Sequence, residues 1–201
     1  MIEQPAPLLA VDAFDGDARR LGEDFSVIRD RFAALGPGKK QPFSRETYIV
    51  TRLNIESNVK IRAGRLQVKT LRGRLQALEE WARPLDAEFP VSVEEIESIV
   101  IPALGLDLEI GRGGALTDGA LLSVVAGQPA LATAKVDKQR TLYDLGTCVA
   151  EYCELRIGDD KLESIAIETP DAEAAFAVLN KVGLGEAQNE SYAEFLQRRL
   201  F

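Results

Sequence analysis

Histidine is absent from all 201 residues. That excludes imidazole acid–base chemistry, Ser-His-Asp and Cys-His nucleophiles, and most zinc sites. Any catalysis would have to run on carboxylates, lysines, arginines, tyrosines or a metal. Cysteine is scarce as well, and Cys148 and Cys153 lie five apart in an apolar, strand-like run. An odd spacing on one strand sends them to opposite faces, so buried, reduced thiols are expected rather than a disulfide. Long apolar runs are missing too. The longest, 120–134, is interrupted by Gly127-Gln128-Pro129 and is too short to span a bilayer. The first residues lack the basic start and apolar core of a secretory signal, so a soluble, cytoplasmic protein without membrane association is expected. Positive charge is in deficit, with a net charge of −8, which argues against binding a nucleic-acid polymer.

What is present fits one globular domain over 1–201, with 46% apolar residues and length enough for a sizeable core. Residues 1–44 are expected to form an N-terminal strand and helix, and 45–201 the main body. The most informative stretch is 58–71. Val59-Lys60-Ile61-Arg62 leads into Ala63-Gly64, and Arg65-Leu66-Gln67-Val68-Lys69-Thr70 leads out. Its period-2 alternation predicts a β-hairpin with Lys60 and Arg62 on one face, and Arg65, Gln67 and Lys69 together on one face of the return strand. Such a stripe is commonly the solvated side of an antiparallel sheet. Cations gathered on adjacent strands otherwise require an anion between them.

Around the hairpin, 7–14 reads as a first strand. Asp15 or Asp17 would then cap a helix with Ala18, Leu21, Phe25, Ile28 and Phe32 on one stripe, ending at Gly36-Pro37-Gly38. A strand is expected over 45–53. The stretch 76–90, with Trp81, Pro84 and Pro90, reads as an irregular connection with Trp81 as a packed anchor. Ser92 and Glu95 form a capping box before a short helix limited by Pro102 and Gly105. About five strands are expected over 106–168. Among them are a glycine-rich hairpin loop at 111–114, which lacks the Gly-Lys-Ser/Thr of a P-loop, and a hairpin over 155–162. Thr169-Pro170-Asp171 starts a helix with Pro170 at its first position, Gly183 ends it, and Asn189 caps a final helix. The sum is seven or eight antiparallel strands with three or four helices at the edges.

The order of these pieces resembles the CYTH superfamily, the triphosphate tunnel metalloenzymes, over residue 45 to the C-terminus. The motifs that carry the likeness are Arg45-Glu46-Thr47-Tyr48-Ile49-Val50, the basic hairpin, and a later strand with Lys135, Lys138 and Arg140. After them come Glu151-Tyr152-Cys153-Glu154, Leu162-Glu163-Ser164-Ile165-Ala166-Ile167-Glu168 and the closing Asn189-Glu190-Ser191-Tyr192. The resemblance implies an α+β fold built on an antiparallel, eight-stranded tunnel-type barrel with helices at its edges. It implies a lumen in which basic residues bind a triphosphate or other small phosphorylated anion while carboxylates hold Mg²⁺ or Mn²⁺. Carried over residue by residue, the phosphate-binding set is Lys60, Arg62, Lys69, Lys138 and Arg140, and the metal set is Glu46, Glu154 and Glu168. Lys135 has the parity of Asp137 and is expected outside.

This sequence departs from the family at two motifs. The signature Glu-x-Glu-x-Lys is matched here by Glu46-x-Tyr48-x-Val50, and a later Glu-x-Glu by Ala166-x-Glu168. Phosphate binding is therefore better preserved than metal-dependent hydrolysis. A weak metal-dependent phosphohydrolase is one outcome. A non-catalytic protein-interaction module, as a homodimer or with another partner, is the alternative. Tyr48 would either donate to an anion or fill the lumen beside Val50, and a strand face of Tyr and Val favours filling. A lipocalin-like pocket for an apolar ligand is disfavoured by the charges on the inward faces.

Overall fold

A computed structural model describes residues 16–22, 24–76, 78–111, 113–185 and 189–201. The strand expected over 7–14 lies outside them. The barrel strands are β1 (Gly16–Gly22), β3 (Ser44–Thr51), β4 (Ser57–Arg62), β5 (Arg65–Leu75), β6 (Leu78–Glu88), β9 (Leu131–Asp144), β10 (Val149–Ile157) and β11 (Asp160–Thr169). They pair antiparallel in the order β10-β11-β1-β6-β5-β4-β3-β9, and a β9–β10 pairing closes the ring. A three-residue strand, β2 (Gly38–Lys40), adds to β9 beyond the end of β3. The expected α+β tunnel fold is what forms.

The barrel reverses the usual arrangement of faces. Its outer side carries two apolar clusters covered by helices, and much of its inner side is charged. One outer cluster packs Val59, Leu66, Val68 and Leu85 of the hairpin region against Ile96, Val100, Ile101, Leu121 and Val125. Those residues come from a helical segment, α2 (Val93–Glu95) and α3 (Ile101–Ala103) joined by a π turn, and from α4 (Asp118–Ala126). The Ser92–Glu95 capping box forms as the sequence predicts. The other outer cluster packs Ala18, Ala150, Tyr152, Ile165 and Ile167 under α1 (Ser26–Leu35) and α5 (Ala172–Lys181). The last helix, α6 (Tyr192–Leu200), does something different. Its Tyr192, Phe195 and Leu196 pack on Tyr48, Val50, Ala134, Val136, Cys153 and Leu155, side chains of the inner face. Gln197 ties it to the wall by donating to the Thr51 carbonyl at 2.8 Å.

Several local expectations are corrected. Residues 16–22 form a strand, not the start of a helix, because β1 pairs with β11 from Gly16↔Thr169 to Gly22↔Glu163. Residues 78–88 are a strand despite Trp81 and Pro84. Among the described residues that strand pairs beyond Glu80 with β5 alone, so the missing Pro84 N–H breaks no second ladder there. The 106–168 region holds three long strands, the two-residue β8 (Ala115–Leu116) and helix α4 rather than five strands. Asp171, not Thr169, caps α5, and Ser191, not Asn189, caps α6 through a capping box with Glu194. Cys148 and Cys153 are buried and free. Among the described residues no helix is long and apolar enough to cross a membrane.

Candidate functional site

Strand alternation builds the site. On β9, Ala134, Val136, Lys138 and Arg140 fall on the inner face; on β4, Asn58, Lys60 and Arg62 do so. Antiparallel register then brings distant residues level, with Glu46 opposite Arg62 and Tyr48 opposite Lys60. The inner face encloses a cavity of about 200 Å³ lined by seven cations, Arg19, Lys60, Arg62, Lys69, Arg83, Lys138 and Arg140. Four carboxylates share it: Asp17, Glu46, Glu151 and Glu168. A protein of net charge −8 thus concentrates an excess of positive charge inside its barrel.

Two hubs organise these charges. The first is Glu46, fully buried. Its Oε2 accepts from Lys60 Nζ at 3.1 Å and Tyr48 Oη at 2.8 Å, and lies 3.0 Å from Lys138 Nζ. Arg62 Nε stands 3.6 Å from Oε1. Lys138 Nζ also donates to Tyr48 Oη at 2.8 Å and sits 3.7 Å from the centre of the Tyr192 ring. Tyr48 therefore fills the lumen, stacked on Tyr192 at 5.3 Å, and also relays a hydrogen bond between Lys138 and Glu46.

The second hub is Arg19 on β1. Its Nη1 donates to Glu151 Oε1 at 3.0 Å, and its Nη2 reaches Asp17 and Glu168, both at 3.5 Å. Arg140 Nη1 lies 3.8 Å from the other Glu151 oxygen. Among the described residues Arg140 Nε, Asp17 Oδ1, Glu46 Oε1 and Asn58 Oδ1 are buried and find no hydrogen-bond partner.

Titration follows this crowding. Burial alone would push the Glu46 carboxyl up, but the adjacent Lys138 and Lys60 ammonium groups override it and hold it well below the usual carboxylate range. Burial and the like charge of Lys138 bring Lys60 down to about 8, against the pull of Glu46. Burial, with Asp17 next to it, raises Glu168. Burial would also raise Glu151, but Arg19 and Lys138 lower it.

All five basic residues singled out from the sequence, Lys60, Arg62, Lys69, Lys138 and Arg140, line this one cavity. Glu46 and Glu168 line it as well. Glu154 does not: it is exposed and opens onto a separate surface hollow with Phe43, Asp137 and Lys161. The inner carboxylate of β10 is Glu151, three residues earlier and therefore on the opposite face. Lys135 is exposed, as its parity predicts. The residues that sequence reasoning missed are Asp17, Arg19, Arg83, Glu151 and Tyr192.

The divalent ion implied by the resemblance does not fit these side chains. Mg²⁺ and Mn²⁺ take hard oxygen donors, and Glu46 already neutralises Lys60 and Lys138 with one oxygen. Asp17, Glu151 and Glu168 converge on a guanidinium. Glu46, Glu154 and Glu168 are not brought together, and among the described residues no three carboxylates or thiols form a group set for a metal.

No family model matches the chain, and no curated protein matches it. Its likeness is to solved structures. HpAC1 from Hippeastrum, a proposed adenylyl cyclase with a dominant triphosphatase activity, is 15% identical with a TM-score of 0.53, over 93% of this chain and 97% of that one. The Mimivirus capping-enzyme triphosphatase superposes with a TM-score of 0.49 at 6% identity, covering 87% and 91% of the two chains. A proposed adenylate cyclase from Bacillus halodurans gives 0.46 at 12% identity, over 92% and 97%. The closed eight-stranded ring, its charged inner face and the full-length match to the Hippeastrum barrel lead to one conclusion about architecture: this chain has the triphosphate-tunnel fold of the CYTH type.

Proposed function

We propose that the basic half of the lumen binds a triphosphate or another compact phosphorylated anion through Lys60, Arg62, Lys69, Lys138 and Arg140. The observation that carries this reading is the seven-to-four excess of cations over carboxylates inside an otherwise acidic protein. Like charges gathered out of water repel, and burial together with the neighbouring Lys138 charge brings Lys60 down to about 8. A polyanion removes that repulsion and accepts charge-assisted hydrogen bonds, roughly twice as strong as neutral ones. Arg140 Nε, buried without an acceptor among the described residues, offers one such donor. The cavity exceeds many times over the ~10–15 Å³ that one water needs. The fold shared with the Hippeastrum protein, whose dominant activity is that of a triphosphatase, points to the same ligand class.

Binding is the function this supports. Hydrolysis of a phosphoanhydride needs, beyond charge on the oxygens, a positioned water or acceptor, and no carboxylate of the cavity is free to serve as base without first leaving a cation. The alternative of a lumen surrendered to protein interaction calls for apolar side chains between Lys60, Lys138 and Glu168. The apolar side chains of α6 instead occupy the neighbouring half.

Calorimetric titration with tripolyphosphate tests the proposal. Micromolar binding with a rise in melting temperature is expected, and orthophosphate should bind far more weakly. Absence of any heat or thermal shift with tripolyphosphate, pyrophosphate or ATP, with and without Mg²⁺, would refute it.

A further inference from the structure

We propose that Arg19 is a resident cation standing where three carboxylates of the lumen would otherwise hold a divalent ion, so that this barrel takes its anion without metal. The metal-free part rests on the anion-binding reading above; the exclusion of metal does not. Asp17 and Arg19 come from β1, Glu151 from β10 and Glu168 from β11, three strands adjacent in the ring. Their carboxylates meet at one guanidinium, Glu151 at 3.0 Å and Asp17 and Glu168 each at 3.5 Å. Without Arg19 the carboxylates of half-buried Asp17, buried Glu151 and exposed Glu168 would have no cation between them, and carboxylate oxygen is the donor type that a hard cation takes.

Arg19 is not free to step aside. It is 8% exposed. Its backbone N–H donates to the Asn189 side-chain oxygen, and its carbonyl accepts from the Glu190 N–H at 2.8 Å. Its guanidinium lies over the Tyr192 ring at 5.1 Å. A guanidinium stays charged at any working pH, so Arg19 does not lose a proton to admit a metal. Arg19 also adds a positive charge to the cavity wall, where it faces the same space as Lys60 and Arg140.

Two measurements decide the matter. In the first, tripolyphosphate is titrated by calorimetry in EDTA and again in millimolar Mg²⁺. The dissociation constant in EDTA should equal or fall below that in Mg²⁺, because Mg²⁺ competes for the same phosphate oxygens. Tightening of about tenfold or more by Mg²⁺ would overturn the metal-free claim while leaving anion binding intact. Absence of binding in both would instead defeat the anion reading.

The second needs no anion. Mn²⁺ is titrated with the protein and the free-ion signal followed by electron paramagnetic resonance. The wild-type protein should leave Mn²⁺ free, and Arg19→Lys should do the same. Arg19→Gln, which uncovers the three acids, should bind Mn²⁺ about tenfold or more tightly than wild type. Wild-type protein that binds Mn²⁺ and loses it on Asp17→Asn would overturn the inference, and this pair decides even if Arg19→Gln fails to fold.

Discussion

Along β9, Ala134 and Val136 share a face with Lys138 and Arg140, yet the two pairs live in different regions of one lumen. The first pair lies in the half that α6 fills with Tyr192, Phe195 and Leu196. The second lies in the half that stays open and charged. Packing in the first half removes apolar surface from water and stabilises the barrel. The second half gathers like charges, leaves buried polar atoms without partners among the described residues, and depresses Lys60. Those are costs to folding, and they become useful only when an anion arrives. The contrast teaches that one half is built for the fold and the other for a ligand, and substitutions should separate them.

The largest effect is expected at Glu46, where both demands meet. Glu46→Gln removes the counter-charge of Lys60 and Lys138 and leaves two ammonium groups crowded and uncompensated. Stripping one partner from a buried ion pair costs about 3–5 kcal/mol. Denaturant unfolding should register that loss, while calorimetry should show tripolyphosphate binding more tightly than in wild type. Loss of stability together with loss of affinity would mean that the carboxylate positions the ligand rather than the lysines.

In the apolar half, Leu196→Ala removes a fully buried side chain and should cost about 2–5 kcal/mol. Affinity for tripolyphosphate should change by less than about threefold, since Leu196 does not line the cavity. A large loss of affinity at full folding would show that the halves are not separable.

Lys60→Met is the converse. It keeps an apolar stem and deletes a charge already disfavoured in the fold. Stability should rise by about 1 kcal/mol or stay level, while affinity should fall about tenfold. A fall in both would place Lys60 with the stabilising half.

The same two halves explain what the sequence disclosed. Period-2 alternation exposed Lys60, Arg62 and Lys69, whose hairpin neighbours Val59, Ile61, Leu66 and Val68 are apolar and face the covered outer side, while Lys138 and Arg140 came from the family resemblance. The order of such strands was enough to read the tunnel-type barrel. Asp17 and Arg19 escaped because Ala18 and Leu21 of β1, with Phe25 beyond its end, also satisfy a helical stripe. Among the described residues the first barrel strand is thus β1, and its inner face reads Asp17-x-Arg19-x-Leu21. Trp81 and Pro84 hid β6, whose pairing with β5 carries two register shifts. Glu154 was a parity error that pairing resolves: Leu155 lies opposite Lys138 and shares its inner face, so Glu154 must point out. The capture of the lumen by α6 had no local signal, because its stripe of Tyr192, Phe195 and Leu196 looks the same whether it packs outside a sheet or inside a barrel.

The smallest expected effect is one of pH, and it isolates Lys60. Its ammonium is brought down to about 8 in the fold, from an ordinary value of 10.5. Between those two values the unfolded chain binds the proton and the folded chain has released it, so stability rises with pH across that window. The cost that Lys60 imposes at neutral pH is relieved as pH climbs through 8. Affinity for an anion should move the other way, falling over the same range as one cation of the wall is lost. Arginine keeps its charge throughout, so Lys60→Arg should remove both trends while leaving those of every other group. Sulfate, which does not titrate in this range, is the suitable probe for the affinity arm, read by calorimetry at pH 7 and pH 9. A wild-type protein and a Lys60→Arg variant with parallel pH profiles would show that Lys60 is not crowded in the open half at all, and the division of the lumen would then have to rest on α6 alone.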